Sequence, residues 1–190
     1  MNDCIRVNDH DLYIEAQGPE DGPPLVFLHH GLGSTRAWKA QMPFFAQAGY
    51  RAIAYDRWGY GASSPRPELS MPFFYDDLAD LETLLDQLGV ARASLVGHSD
   101  GGTISLYFSA RNPERVSSLV VAAAHIYVEP KMDTGIQAVR EGYENEPAFR
   151  QALERIHGEK TESVFWGWFH GWHAPENLNW DIRPVLRRIE

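Results

Sequence analysis

Ser99 is where chemistry can begin in this chain. It stands in Leu95-Val96-Gly97-His98-Ser99-Asp100-Gly101-Gly102, where glycines two before and two after the serine permit a tight strand-to-helix turn with the hydroxyl at its apex. A serine hydroxyl is a weak nucleophile at neutral pH. To attack a carbonyl it needs a base for its proton and hydrogen-bond donors for the oxyanion that forms. Gly-x-Ser-x-Gly alone arises by accident in roughly 6% of chains of this length, so the flanking elements decide what it means.

Ala93 to His98 reads as the strand leading into the turn. Ile104, Tyr107 and Phe108 form the apolar face of the helix behind it, which Asn112-Pro113 ends. Leu25 to Leu28 and Arg51 to Tyr55 read as short strands buried on both faces, and Val116 to Ala124 as another. Trp38, Met42 and Phe45 fall at i, i+4 and i+7 between Ser34-Thr35 and Gly49, which predicts one amphipathic helix. Leu78, Leu81, Leu84, Leu85 and Leu88 predict a second, with Asp76 or Asp77 at its start and Gly89 at its end. Residues 5–17 predict a hairpin turning at Asn8-Asp9-His10-Asp11. Strands alternating with helices across crossover-length connections indicate an α/β fold, a mostly parallel, doubly wound sheet covered on both faces. Loops 29–33, 56–63 and 97–101 then meet at the carboxyl ends of the strands, where such sheets place ligands.

From His125 onward the alternation stops and no strand returns. Residues 131–190 therefore read as a helical cap on a core formed by residues 1–130. The chain of 190 residues can bury one substantial core. Its net charge of -9, with Lys and Arg scattered, argues against a nucleic-acid partner. Cys4 is the single cysteine, so no disulfide framework or cysteine-based metal site is available. The amino-terminal stretch lacks the basic start and apolar run of a secretory signal, and no run approaches 18 apolar residues. A cytoplasmic protein with no membrane partner is expected.

Other residue types are weighed beside Ser99. His125, with Glu129 or Asp133 just beyond, is conceivable as a makeshift base and acid, against the plainer reading of a loop histidine and solvated acids. His170 and His173 sit at i and i+3, but without a third ligand at helical spacing they read as polar edges of an aromatic cap. Trp166, Trp168, Phe169 and Trp172 read mainly as packing, with one or two lining a pocket. Asp100 reads as a first-turn cap of the elbow helix, with a direct effect on substrate polarity as its alternative. His29 reads as a structural strand end, and His30 as a brace for its loop. Trp58 and Tyr60 read as fillers above the sheet.

The ordered combination over residues 5–124 resembles the α/β-hydrolase fold family. His30-Gly31-Leu32-Gly33 matches its His-Gly oxyanion loop, Ser99 its nucleophile, and Asp56-Arg57-Trp58-Gly59-Tyr60-Gly61-Ala62-Ser63 a further motif after the fourth strand. The resemblance implies an oxyanion hole formed by the backbone N–H groups of Leu32 and Asp100. It implies that His30, Gly31, Gly97, His98, Gly101 and Trp58 support the pocket and its loops. It also implies a carboxylesterase-like serine hydrolase that acts on small carboxylic esters through an acyl-enzyme on Ser99, with no cofactor and no metal. A haloalkane dehalogenase is disfavoured because it needs a carboxylate where Ser99 stands. A carbon-carbon bond hydrolase or cofactor-free haloperoxidase of the same fold is an alternative, as is a truncated or degenerate binding protein without catalysis.

In the family the triad order is Ser, acid, His. The sequence reaches Leu186-Arg187-Arg188-Ile189-Glu190 where the next core strand is expected. The resemblance thus implies that the last two strand-helix units, on the order of 60 residues, are absent from these 190 residues, with the acid and histidine among them. Weak ester turnover and self-association through an uncovered Val116 to Ala124 edge are the corresponding expectations.

Overall fold

The computed structural model describes residues 2–69 and 71–189. Six strands form one sheet: β1 (Asn2–Val7), β2 (His10–Gln17), β3 (Pro24–Leu28), β4 (Arg51–Tyr55), β5 (Ala93–His98) and β6 (Val116–Ala122), in the order β1-β2-β4-β3-β5-β6. β1 pairs antiparallel with β2, and β2 with β4, while the β4-β3-β5-β6 block is parallel. The amino-terminal turn is tighter than predicted. Val7 pairs with His10, so His10 and Asp11 belong to β2, and Asn8 takes the left-handed conformation (φ 52°) that asparagine tolerates.

The alternation of side chains along the central strands sends residues to two cores. Leu25, Phe27, Ala52 and Ala54 pack beneath Trp38 and Met42 on one face. Val26, Leu28, Ile53, Tyr55 and Leu95 face the larger core, with the leucines of α2 (Tyr75–Gln87) and Ile104 and Phe108 of α3 (Asp100–Arg111). The predicted single helix over Trp38 to Phe45 is two pieces, a 3-10 turn at Thr35–Trp38 and α1 (Gln41–Gln47). Pro43 supplies the reason. It has no N–H, and its ring would clash with the carbonyl four residues back, at Lys39.

The excursion after β6 holds α4 (Met132–Asn145), α5 (Pro147–His157), α6 (Thr161–His173) and α7 (Arg183–Leu186). It returns to its own start, where Val128 N–H donates to the Trp180 carbonyl at 3.1 Å and Ile182 N–H to the Ile126 carbonyl at 2.8 Å. Its apolar face, including Ile136, Tyr143, Leu153, Phe165 and Trp172, is continuous with the larger core.

β6 ends two residues earlier than predicted, where Ala123 turns to φ 52°. Among the described residues it pairs with β5 alone. Ser118 and Ala122 are exposed and Val120 is 58% exposed, and the strand contains neither a charge nor a proline, the usual protections of an edge. Concentration-dependent association is expected in sedimentation velocity and should be weakened by Val120→Lys. A wild-type monomer at every concentration would overturn this.

Candidate active site

β5 runs into α3 without a connecting loop, and Ser99 is the single residue between them, at φ 52° and ψ -121°. That conformation is costly for a residue with a side chain, about 1–3 kcal/mol, and is held by its surroundings. Ser99 N–H donates to the Ala122 carbonyl of β6 at 2.8 Å, and Thr103 N–H closes the first helical turn onto the Ser99 carbonyl at 3.0 Å. The flanking glycines are needed for contact rather than flexibility. A Cβ on Gly97 would press into the Gly101 carbonyl, and one on Gly101 into the backbone carbonyls of Leu28 and His29.

Ser99 opens onto a cleft of about 470 Å³ at the carboxyl end of the parallel strands, lined also by His30, His98, Ala123, Ala124, His125 and Glu129. The Asp100 N–H heads α3, so it has no acceptor within the helix. The Leu32 N–H is held by its own loop and donates to His30 Nδ1 at 3.4 Å. A substrate oxygen using that amide must displace the imidazole. Burial pushes the His30 pKa down to about 4, with His98 and Arg57 acting the same way, so the ring is neutral and can accept.

Asp100 stands in the first turn of α3, as its first sequence reading has it, whereas its side chain does not line the cleft, being 1% exposed. Oδ1 accepts from Trp172 Nε1 at 3.3 Å, and Oδ2 lies 3.7 Å from the Arg57 guanidinium. Burial raises its carboxyl above the usual range, opposed by Arg57 and the Trp172 N–H. Gly31 is the close-approach point above it, since a Cβ there would lie 2.6 Å from Asp100 Oδ2.

Arg57 is the centre of this buried polar layer. It donates to Asp77 Oδ1 at 3.1 Å and to the His30 carbonyl at 3.5 Å, and stands 4.3 Å over the Tyr60 ring. Asp77 is shared with Arg66 at 3.0 Å. His29 is fully buried, with Nδ1 donating to the His30 carbonyl at 2.8 Å and Nε2 accepting from Arg57 N–H at 3.1 Å. Asp56 ties the second loop by accepting from Thr35 N–H at 2.6 Å and Ala62 N–H at 2.7 Å. Five of these contacts, from His29, Arg57 and Asp56, end on backbone atoms at His30, Thr35, Arg57 and Ala62, so the layer helps fix the shape of those loops.

The helical excursion after β6 joins the same loops through His157 of α5, which nothing in its helix pattern singled out. Its Nδ1 accepts from Gly61 N–H at 3.0 Å and its Nε2 donates to the Leu32 carbonyl at 3.1 Å. Lys160 donates beside it to the carbonyls of Tyr60 and Ser63. Burial pushes the His157 pKa down to about 4 from an ordinary 6.5, with Lys160, His30 and Arg57 acting the same way and the Leu32 carbonyl opposing. Because the folded value is depressed, the unfolded chain takes up the proton first. The stabilisation is present above about pH 6.5 and is lost as pH falls towards 4. His157→Gln is expected to cost about 1–2 kcal/mol at pH 7.5, with the difference from wild type shrinking to nothing or changing sign by pH 4.5. Urea unfolding at several pH values reads this. A difference independent of pH would contradict it.

Several candidates fall outside the cleft. Trp58 stacks on His10 at 4.0 Å and donates to the Pro65 carbonyl at 2.9 Å, so it supports loop 56–66 rather than the pocket. Asp133 pairs with His173 at 2.6 Å and does not reach His125. His170 stacks on Trp166, and no metal-holding cluster of His, Cys, Asp and Glu exists among the described residues. Trp168, Phe169 and Trp172 pack among the helices after β6 or against the core, and Trp166 faces a separate groove beside Arg66, Leu69 and Met71; none lines the Ser99 cleft. His125 and Glu129 do share the cleft, but their closest approach is 3.9 Å, too long for the hydrogen bond by which an acid fixes an imidazole.

The model of the alpha/beta hydrolase fold family matches residues 23–188. The chain belongs to that family. Sequence relatives of the chain include epoxide hydrolase 2 of Siraitia grosvenorii, 36% identical over 64% of the chain and 38% of the relative. The bifunctional esterase/perhydrolase DCH of Acinetobacter calcoaceticus is 38% identical over 60% and 41%. The non-heme chloroperoxidase of Streptomyces lividans is 37% identical over 65% and 45%. The chain thus spans less than half the length of these relatives. Among solved structures, a carboxylesterase study of Nitrososphaera gargenis gives a TM-score of 0.78 at 19% identity, covering 98% of this chain and 76% of that one. The enol-lactonase of Burkholderia xenovorans gives 0.76 at 19% identity, covering 99% and 78%. These two likenesses show the fold.

Proposed function

We propose that the chain carries the nucleophile of a serine hydrolase that acts on small carboxylic esters, Ser99 forming an acyl-enzyme that water resolves. The observation that supports it most is the strained Ser99 backbone between β5 and α3, which presents the hydroxyl to an open cleft beside a helix-heading amide. The chemistry of the intermediate narrows the substrate. If Ser99 opened an epoxide or displaced a halide, the product would be an ether, which has no carbonyl for water to attack. Acylation instead gives an ester that hydrolysis can cleave. The esterase/perhydrolase relative is in keeping with an acyl substrate. A cytoplasmic location is part of the same reading, supported by a lone free cysteine and by the absence, among the described residues, of a helix long and apolar enough to cross a membrane.

The test is covalent. Incubation with a fluorophosphonate should add one adduct, located on Ser99 by mass spectrometry and absent in Ser99→Ala. No adduct on folded protein, or one on another residue, would remove the proposal.

A further inference from the structure

We infer that the Ser99 cleft recognises a ligand carrying an ammonium group, with Glu129 as the residue that binds it. For catalysis this rests on Ser99 being the nucleophile, but the recognition can be tested without turnover. Glu129 is the one carboxylate lining the cleft, and among the described residues no lysine or arginine lines it. Its side chain, 45% exposed, makes no hydrogen bond among the described residues, and the nearest cationic candidate is His125 Nδ1 at 3.9 Å. The carboxylate therefore shares the cleft with Ser99 and has acceptor positions open to a ligand. His30, which also lines the cleft, is neutral and offers no competing positive charge. The chain's net charge of -9 adds a field of the same sign. An ammonium group gains on entering, whereas a carboxylate meets repulsion at short range. The substrate class that follows is esters bearing a primary or quaternary ammonium group, in preference to neutral or carboxylate-bearing esters of the same shape.

Three probes of matched shape separate charge from size: choline, 3,3-dimethylbutan-1-ol and 3,3-dimethylbutanoate. Titration into the wild-type chain, followed through the imidazole signals of His98 and His125, should give choline roughly fivefold tighter binding than the neutral alcohol, as expected for a partly exposed charge pair, and the carboxylate weaker binding still. The preference should diminish in high salt and vanish in Glu129→Gln. Equal binding of choline and the alcohol would overturn the inference, as would a choline preference that survives in Glu129→Gln. Fluorophosphonate labelling of Ser99 is read separately, so failure of the nucleophile and failure of the recognition are distinguishable.

Discussion

Turnover of an aryl ester by this chain is expected to fall about 10⁴- to 10⁶-fold short of a hydrolase with an assembled triad, and Ser99→Ala is expected to remove what remains. Among the described residues no side chain hydrogen-bonds the Ser99 hydroxyl, although His30, His98 and His125 share its cleft. His30 is engaged by the Leu32 N–H, and His125 lacks a hydrogen-bonded carboxylate to fix its tautomer. On the proposed serine mechanism, backbone donors and the strained Ser99 backbone still favour slow acylation, so covalent labelling should persist where turnover is feeble. Initial rates with 4-nitrophenyl acetate, normalised to the fraction of Ser99 that labels, read both quantities. Turnover of about 1–10³ s⁻¹, the usual enzyme range, would show that one of the cleft imidazoles serves as the base. His98→Gln and His125→Gln would then identify it.

Arg57→Met is expected to lower the free energy of unfolding by about 3–5 kcal/mol, the usual cost of removing one partner from a buried ion pair. That is a large share of the roughly 5–15 kcal/mol available to a domain of this kind. The guanidinium is 1% exposed and stands between Asp77 and Asp100, themselves buried. Asp77 keeps Arg66 in the variant, whereas among the described residues Asp100 keeps only the Trp172 N–H as a hydrogen-bond partner. Asp100→Asn should therefore be better tolerated beside Arg57→Met than alone, by about 1–2 kcal/mol in a double-mutant cycle from urea unfolding. Strict additivity would show that the 3.7 Å separation carries no coupling. Because Arg57 also holds the His30 carbonyl, the single variant should loosen loop 29–33 as well.

The local features that chemistry needs were legible in the sequence. Glycines at 97 and 101, an apolar strand before Ser99 and an apolar helical face after it specify an elbow through short-range sterics alone. The apolar runs at 25–28 and 51–55 specify buried parallel strands. The sequence reading erred where one residue outweighed a periodic pattern, as with Pro43 breaking the helix that Trp38, Met42 and Phe45 outline. Asp77 and Asp80 were a visible signal of a second kind, since they lie among the buried leucines of α2, where a carboxylate must find a partner.

Which partner it finds was not legible, because Arg57, Asp77 and Asp100 come from three separate elements and meet only when the sheet and its helices are packed. The same holds for His157 bridging Leu32 and Gly61 and for Asp100 turning under the cap. The sequence by itself thus determined the turn at Ser99 and the fold class, both of which follow from neighbours a few residues apart. The tertiary structure decided which charges are buried together, which histidines stay neutral and which residues face Ser99. Burial and distance set those outcomes, and both depend on contacts between residues far apart in the chain.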